Sequence, residues 1–563
     1  MLVFVGYVMY QEDQRADLEI AAAQQRELVL AEESTESPER DRDDPPINSV
    51  VSRSERAERS ASAPRVIEEE PASIPIHQVA LSTVVIENDS VIARISNGPA
   101  MIESWRLLEF EEFIQDGTSP IELIAGNHPV LQTEIRGMPG ADFSGLRYEI
   151  LSQSSREVVQ RAESAAGSLT RTFRLDEQGF GFDVELEFES HRADPVDAGF
   201  ELIWSTEITD REDFRELSLL AYGGENGVTR TMVPAVGQPA FFSFLGAGSG
   251  IANGVETVEG RSTWAGFDIQ YFASVIIDPQ PDPRLRVQFL PLEANESAEV
   301  RVTLPSLAIM PGASVKESLR GFIGPKTPEA LADAGNGLKY SVNRGFSWLE
   351  PLTRFFEIAL DTLYQFIPNY GLAIIVLTIL VRICTAPLMA KQMRSAERMR
   401  ALQPRMKELQ EKYKDDRQKQ SEETMKLYKE ENVNPIAGCL PLLLQFPVLI
   451  GLFYALRSSI GLRHAPFALW ITDLSQPATL FVMPGIDFPI RLLPLIMGAS
   501  MFVQQKMTPT TGMDPTQARM MLIMMPVMML FISYTFPSGL VLYWTVSNLL
   551  GIAQQYWIRK QIQ

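Results

Sequence analysis

The sequence has few of the residues that build disulfides, metal sites or hydrolytic centres. It contains two cysteines, Cys384 and Cys439, both in apolar C-terminal segments, where a cysteine is usually a small packed hydrophobe. No disulfide framework is therefore predicted. Its four histidines are scattered and form no metal-ligand motif. Phosphate-binding loops, HExxH motifs and nucleophile elbows are also missing, so the residues support neither an enzyme nor a bound cofactor.

Positive charge is scarce overall and unevenly placed. The chain has 50 Lys and Arg against 71 Asp and Glu, a formal net charge of −21. Proteins that bind nucleic acid usually carry a basic surface, so direct nucleic-acid binding is not expected. The acidic excess lies in the N-terminal part, whereas residues 391–433 are rich in Lys and Arg.

The N-terminal 77 residues lack both a complete membrane span and the apolar content of a folded domain. Residues 1–10 are apolar but shorter than the roughly 20 residues that a bilayer helix needs, and no basic segment precedes them. We interpret them as the remnant of a first transmembrane helix; a short interfacial piece is the alternative. Residues 11–77 are polar and acidic, which predicts a disordered linker.

Residues 78–325 carry short runs in which apolar and polar residues alternate. Examples are STVVIENDSVIARISN and RTFRLDEQGFGFDVELEFES, and turn residues separate the runs. This period of two predicts one large antiparallel β-sandwich domain. The segment holds no catalytic constellation, so we expect it to serve as a binding or spacer domain.

Long apolar segments dominate from residue 340 onward. Residues 340–366 mix aromatic and aliphatic side chains with charges, which predicts an amphipathic helix at the membrane interface. Five apolar segments then predict a core of five transmembrane helices, at 371–390, 435–456, 488–506, 519–536 and 539–558.

The charges between these segments predict their orientation. Residues 391–433 are rich in Lys and Arg, and Lys506 and Arg519 flank the loop at 507–518. The loop at 457–487 has two arginines only. By the positive-inside rule, 391–433 and 507–518 are cytoplasmic, while 457–487 and the β-domain lie on the other side, which is the periplasm in a bacterium.

The basic segment 391–433 contains its own helical pattern. Apolar residues recur at spacings of four, three and four, at Leu402, Met406, Leu409 and Tyr413. The motif KDDR at 414–417 predicts a turn and 418–431 a second helix, which together make a cytoplasmic helical hairpin. Two interpretations stay open: a solvated charged hairpin, or a docking surface for a ribosome, a targeting factor or lipid headgroups.

One fixed charge lies inside the first span, in the run AIIVLTILVRICTAP at 373–387. Arg382 lies roughly 18 Å from the outer end of the helix and about 13 Å from Lys391, at 1.5 Å per residue. An arginine at a helix centre costs about 2.5–3.5 kcal/mol on insertion-based scales. Snorkelling towards the cytoplasmic headgroups would lower that cost. The alternative is a hydrophilic groove within the helical bundle.

Three features favour the groove. Thr378, Arg382 and Thr385 share one helix face. Other spans carry polar residues at mid-depth, namely Gln445, Ser533, Thr535 and Asn548. The five spans have no Asp or Glu at mid-depth, so the counter-ion of Arg382 is water, a lipid phosphate or an acidic segment of an arriving substrate chain.

A methionine-rich run, ARMMLIMMPVMMLF at 518–531, adds a weaker indication of a peptide substrate. Flexible thioethers can fit many apolar partners. Packed or lipid-facing methionines are the alternative interpretation of the same run.

Several segments closely resemble the YidC membrane protein insertases of Gram-negative bacteria. They are LTILVRICTAPL, VNPIAGCLPLLLQFPVLIGLFYAL, APFALWITDLS, QKMTPTTGMDPTQARMM and FPSGLVLYWTVSNLLGIAQQ. The resemblance is dense from about 340 to 560 and weaker over the β-domain. It implies an inner-membrane protein with a five-helix core around a hydrophilic groove, a periplasmic β-supersandwich and a cytoplasmic hairpin. By position, Arg382 would be the groove arginine, Thr378 and Gln445 its polar neighbours, and Trp544 an aromatic groove residue.

The resemblance also implies a function without nucleotide or cofactor. Such a protein would insert, fold and assemble inner-membrane proteins, alone or with the Sec translocon, in contact with nascent chains and membrane lipid. Two other functions stay open: an assembly chaperone that acts after a translocon, and a solute transporter. A transporter predicts an intramembrane carboxylate or inverted repeats with broken helices, and the sequence displays neither.

Overall fold

The computed structural model describes most of the chain after residue 79. The described residues are 80–562, apart from 115–116, 208–216, 224–226, 234–254, 293–296, 415, 432–439, 486–487 and 508–514. The predicted helix remnant at 1–10 and the predicted linker at 11–77 lie outside these residues.

The N-terminal part of the described chain is built from β-strands. Their bounds are β1 Thr83–Glu87, β2 Val91–Ser96, β3 Ala100–Ile114, β4 Gly117–Arg136, β5 Glu149–Gln153, β6 Glu157–Ser164, β7 Gly167–Leu175, β8 Gly181–Ser190, β9 Val196–Glu207, β10 Ser218–Tyr222, β11 Val228–Met232, β12 Glu256–Thr257, β13 Trp264–Asp268, β14 Phe272–Ile277, β15 Arg286–Pro291, β16 Ser297–Thr303, β17 Leu307–Ile309 and β18 Ser314–Pro325.

The described strands form two antiparallel sheets. One has the order β1-β2-β3-β4-β9-β16-β15-β12, with β17 also paired to β9. The other has the order β11-β10-β13-β14-β18-β8-β7-β6-β5. The antiparallel β-sheet domain that the alternating pattern predicted is thereby confirmed.

The two sheets share one apolar core. Trp105 of β3 has its ring centroid 5.3 Å from that of Phe182 on β8, and its Nε1 donates a 2.9 Å hydrogen bond to the Ile323 carbonyl on β18. Alternate residues along β7 are buried, as the period of two requires. Their burial supplies the hydrophobic stabilisation that holds the sheets face to face.

One charged residue, Arg171 of β7, interrupts this apolar pattern and is fully buried. Its guanidinium donates to Gln160 Oε1 at 2.8 Å and lies 3.6 Å from the ring centre of Tyr148. It also donates to the carbonyls of Ser96, Gly98 and Pro99. Burial lowers the pKa of Arg171 to about 10, so the guanidinium stays charged at neutral pH. Neutral acceptors and an aromatic face therefore take the place of a carboxylate.

The C-terminal part of the chain is helical. The helices are α1 Pro328–Ala334, α2 Glu350–Phe366, α3 Tyr370–Ala401, α4 Gln403–Lys412, α5 Arg417–Glu430, α6 Leu440–Ser458, α7 Leu492–Met507, α8 Pro515–Ser533 and α9 Ser538–Ile562, and a short hairpin of β19 Phe481–Met483 and β20 Phe488–Ile490 precedes α7.

Each of the five predicted spans overlaps one helix, in order α3, α6, α7, α8 and α9. Judged by helix length and mean hydropathy alone, one segment within the described residues is long and apolar enough to cross a membrane. This segment is Tyr370–Pro387 of α3. Shorter apolar stretches lie in α6, at Phe446–Ser458, and in α8, at Leu522–Ser533. Helix α3 also continues to Ala401, well past the predicted end at 390, because the polar residues that follow are good helix formers.

Helix α2 lies within the predicted amphipathic segment and has two unlike faces. Phe356 and Leu360 are buried in the helical core, whereas Phe355, Ile358 and Phe366 expose 58–80% of their surface. The buried face packs on α6, where Gly451 leaves room for Leu352 and Phe356. The opposite face presents large apolar side chains to the surroundings.

Helices α4 and α5 occupy the segment of the predicted hairpin. Leu402, just before α4, packs against Tyr428 of α5, and the Tyr428 hydroxyl donates to Met406 Sδ at 3.3 Å. Asp416 caps α5, because its Oδ1 accepts a 3.0 Å hydrogen bond from the Lys419 amide.

Polar contacts join the β-domain to the helices. Gln270, between β13 and β14, donates through Nε2 to the Arg457 carbonyl at the end of α6, at 3.2 Å. Arg463, which follows α6, donates to the Glu111 carbonyl of β3 and lies over the ring of Phe272.

Candidate functional site around Arg382

Arg382 is buried between α3 and α9 and binds neutral groups. Its Nη2 donates to the Ser547 hydroxyl and to the Ser547 carbonyl, both at 2.7 Å, and its Nε donates to the same hydroxyl at 3.2 Å. Arg382 is 9% exposed and Ser547 is 3% exposed. Within the described part of the chain, no Asp or Glu forms an ion pair with this guanidinium. A buried cation is thus held by one serine.

A small cavity of about 20 Å³ opens beside this pair. It lies among α3, α6 and α9. The lining residues are Thr378, Val381, Arg382, Thr385, Met389, Val448, Tyr543 and Ser547. The polar face that the spacing of Thr378, Arg382 and Thr385 predicted therefore lines one pocket, together with residues from two other helices.

The two threonines of this pocket can only accept hydrogen bonds from a molecule that enters it. The Thr378 hydroxyl donates to the Ile374 carbonyl at 2.6 Å, and the Thr385 hydroxyl donates to the Val381 carbonyl at 2.9 Å. Each hydroxyl hydrogen is therefore committed to its own helix. The remaining lone pairs can accept hydrogen bonds from water or from an amide group.

Helix α7 packs against α9 next to this site. A Cβ atom at Gly551 would lie 2.7 Å from Gln504 Nε2 and 3.6 Å from Arg382 Nη2. The glycine therefore leaves room for the Gln504 side chain of α7 on a face of α9 that also borders Arg382.

Comparison with known proteins places the chain in a family. Residues 83–358 match the model of the YidC periplasmic domain, and residues 362–563 match that of the 60Kd inner membrane protein. A Geotalea daltonii relative, named "Membrane protein insertase YidC", is 32% identical over 540 residues, which cover 92% of this chain and 93% of the relative. The chain belongs to the YidC family.

Other relatives of that name match over a shorter region. The Pelobacter propionicus protein is 44% identical over 302 residues, which are 53% of this chain and 54% of the relative. The Syntrophus aciditrophicus protein is 42% identical over 299 residues, 53% of this chain and 52% of the relative. In these alignments the chain spans about half the length of the curated relatives.

A solved structure titled as an active YidC insertase with its first transmembrane domain resolved also matches. It is 18% identical, covers 84% of this chain and 92% of its own, and superposes with a TM-score of 0.35. The family assignment rests on the sequence matches.

Four other residues expected in the groove of this YidC-family chain, Ser533, Thr535, Trp544 and Asn548, do not line the Arg382 pocket. Asn548 Nδ2 donates to Ser500 Oγ at 3.2 Å and so joins α9 to α7. Ser533 is fully buried, and its hydroxyl donates to the Leu530 carbonyl at 3.1 Å. The side chain of Gln445, in α6, is outside the described residues.

Thr535 and Trp544 have local environments of their own. The Thr535 hydroxyl is exposed and donates to the Ile532 carbonyl at 3.3 Å. The Trp544 ring packs on Phe536, with centroids 5.7 Å apart. Both residues lie at the α8–α9 end of the helical core, towards the loop at 457–487.

Sequence reasoning missed Ser547, Gly551 and Gln504. The signal for two of them was present, since Tyr543, Ser547 and Gly551 are spaced four apart and share a face of α9. Gln504 had no such signal, because its approach depends on how α7 packs against α9.

A contact between His464 and Asp473, in the loop after α6, lies next to the start of α9. His464 Nδ1 lies 3.1 Å from Asp473 Oδ2, and Asp473 Oδ1 accepts hydrogen bonds from the amide and hydroxyl of Ser475. Burial raises the pKa of Asp473, but the hydrogen bonds from His464 and Ser475 outweigh it and hold this pKa below its ordinary value. The Asp473 carbonyl in turn accepts from Ser538 Oγ at 2.6 Å.

Proposed function

We propose that this chain is a membrane protein insertase and chaperone that works without nucleotide. The observation that carries the proposal is a buried arginine whose described hydrogen-bond acceptors both belong to Ser547, beside a pocket among α3, α6 and α9. Family membership supports the same function, since relatives carry the name membrane protein insertase.

The geometry of Arg382 suits transient capture of an acidic segment. Ser547 engages the Nε and Nη2 edge of the guanidinium. Within the described structure, Nη1 has no acceptor, so its two N–H groups can bind a substrate carboxylate. Because the site is shielded from water, this attraction is stronger than at an exposed surface. A neutral anchor also leaves the charge free to bind an arriving carboxylate, since no protein carboxylate among the described residues pairs with Arg382.

The apolar part of a substrate needs a route into lipid, and α8 offers one. Its exposed residues form an apolar stripe at helical spacing, made of Met520, Ile523, Met524, Val527 and Phe531. Flexible methionines can pack against many side-chain shapes. In this proposal the hydrophilic groove shortens the hydrocarbon distance, and transfer into lipid supplies about 0.8 kcal/mol per buried CH₂ group.

The proposed topology has α3, α6, α7, α8 and α9 crossing the bacterial inner membrane as a five-span core. The β-domain and the loop at 457–487 then lie in the periplasm, with α2 in the interface. The loop at 507–518 and the α4–α5 hairpin lie in the cytoplasm, as the positive-inside rule favours. Nascent inner-membrane proteins and membrane lipid are the proposed partners. A ribosome or targeting factor would dock on the hairpin, and the Sec translocon would cooperate in insertion.

Reconstitution tests the proposal. The pure protein in lipid vesicles should insert a small substrate with an acidic tail, and Arg382→Ala should lower the yield about tenfold, as the loss of one charge-assisted hydrogen bond can do. Arg382→Lys, which retains the charge, should retain part of the yield. Arg398→Ala removes an exposed arginine from the same helix and should leave the yield unchanged. Normal insertion by Arg382→Ala would contradict the electrostatic step.

An assembly chaperone that acts after a translocon is the second candidate, because the same proposed groove would also serve to shield a span during folding. Insertion by the pure protein in vesicles free of any translocon separates the two functions, since a chaperone alone would leave the substrate outside the bilayer.

A further inference from the structure

Arg382 also lines a second pocket, at the seam between α3 and α9. This pocket has a volume of about 400 Å³ and opens to the surroundings. Its lining residues are Ile379, Arg382, Ile383, Ala386, Pro387, Ala390, Leu550, Gln554, Trp557 and Ile558. At about 100° per residue, these α3 positions lie on the face next to that of Thr378 and Thr385. Arg382 stands at the border between the two faces.

The seam pocket has an apolar wall that opens outward. Ile383 exposes 63% of its surface and Trp557 exposes 61%. For a helix pair that crosses a membrane, the surroundings of such side chains are lipid. Among the described residues, the lining includes the polar side chains of Arg382 and Gln554 and no carboxylate. Gln554 Nε2 donates to the Ala386 carbonyl at 3.3 Å.

The order of residues along the helices gives the pocket a direction. Ala390 and Trp557 mark the end of the pocket on the proposed cytoplasmic side, near the exposed Lys560 at the end of α9. Tryptophan and lysine in that position are typical of the membrane–water interface. Arg382 marks the inner end, about 12 Å from Ala390 along α3. An elongated amphiphile fits this arrangement, with hydrocarbon against the isoleucines and an anionic group within reach of a cation.

We propose that the seam pocket binds an anionic phospholipid whose phosphate is the resident counter-ion of Arg382. The acyl chain lies against Ile379, Ile383 and Leu550. The phosphate is drawn inward to the guanidinium, which binds phosphate oxygens with strong charge-assisted hydrogen bonds. The carboxylate of an arriving substrate then exchanges with this phosphate. The lipid site rests on the proposed membrane placement, and the exchange step rests on the proposed insertase function.

Native mass spectrometry of the full-length protein tests the site, with phosphatidylglycerol and phosphatidylcholine of identical acyl chains as the two probes. The wild-type protein should retain one phosphatidylglycerol about tenfold more strongly than phosphatidylcholine. Ile383→Trp fills the pocket and should abolish that preference. Leu380→Trp places the same ring on an exposed position of α3 outside the pocket and should leave the preference intact. Arg382→Gln should bind both lipids equally.

Two outcomes would overturn the lipid site: equal retention of both lipids by the wild-type protein, or unchanged preference in Ile383→Trp. Inorganic phosphate at millimolar concentration should not displace the lipid, and displacement would assign the site to free phosphate instead. The insertion assay in vesicles is a separate measurement. Loss of lipid preference with normal insertion would remove the exchange step alone, whereas intact lipid preference without insertion would contradict the insertase function alone.

Discussion

Arg382 on α3 and Ser547 on α9 are joined by three hydrogen bonds, all directed to one residue. The serine supplies a hydroxyl and a carbonyl to the same edge of the guanidinium. A carboxylate at this place would neutralise the arginine permanently and would compete with any acidic guest. The serine instead fixes the orientation of the cation and leaves its charge to an exchangeable partner, such as a lipid phosphate or an acidic guest.

Removal of the Ser547 hydroxyl should loosen this arrangement. Ser547→Ala deletes the acceptor of two hydrogen bonds from a buried cation, and such a loss costs about 1–3 kcal/mol. We expect a lower unfolding temperature in detergent and a severalfold lower yield of inserted substrate. Thr545→Val is the matched control on the same helix, because the Thr545 hydroxyl bonds only the Val541 carbonyl of its own helix. An equal effect of both changes would argue against a special role for Ser547.

Gly551 should matter for function more than for stability. In Gly551→Ala the new Cβ meets the Gln504 amide, the far end of a flexible side chain that can move away. Alanine also favours a helix over glycine by up to about 1 kcal/mol. We therefore expect unchanged or higher thermal stability with reduced insertion, because the Gln504 side chain must leave its place at Gly551, close to the Arg382 site.

A double mutant can isolate that contact. Gln504→Ala removes the side chain that the new Cβ of Gly551→Ala would meet. Gln504→Ala should therefore lower the yield of inserted substrate less in the Gly551→Ala background than in the wild-type background. Gly498→Ala on α7 is the control, since its Cβ would make only ordinary contacts with Leu530. Strict additivity of the Gly551 and Gln504 changes would show that the two positions do not interact.

The β-domain should depend on the charge of Arg171. Arg171→Met leaves Gln160 and the carbonyls of Ser96, Gly98 and Pro99 buried without their donor, which predicts a loss of roughly 3 kcal/mol or more. Thermal unfolding followed by β-sheet circular dichroism measures it. Arg174→Met is the control on the same strand, because Arg174 is exposed and pairs with Glu157 at the surface.

Asp473 should give the loop after α6 a specific acid sensitivity. Its pKa is held below the ordinary value, so the stability it contributes is present above about pH 4 and is lost as the pH falls through the folded-state pKa. In Asp473→Asn that part of the pH dependence should disappear. The measurement is the unfolding temperature between pH 3 and 7. Asp194→Asn, at an exposed carboxylate, should retain the wild-type profile.

Much of the β-domain was predictable because strand patterning is local. A period of two in buried residues follows from the pleat of a half-buried strand, and β6 and β8 follow it closely. The order of the strands was not predictable. Strand β9 pairs with both β4 and β16, and each of these strands is far from β9 in the sequence. Alternation of buried residues alone carries no information on such pairing.

The site was partly predictable for the same reason. Spacing along one helix placed Thr378 and Thr385 beside Arg382, and both residues line its pocket. Polar residues at mid-depth on other helices, such as Ser533 and Asn548, were expected in the wider groove, and that remains a prediction. They do not line the Arg382 pocket, because depth in a span does not fix the direction in which a side chain points within the bundle.

The sequence by itself determined that a fixed cation lies in an apolar helix and that the neighbouring apolar segments hold no acid at the same depth. Those facts depend only on residue identity and spacing. The tertiary structure alone decided that Ser547 holds the guanidinium, that Gly551 leaves room for Gln504, and that Arg382 borders two pockets. These relationships depend on the rotation and approach of helices distant in the chain, which side-chain packing sets and local periodicity does not encode.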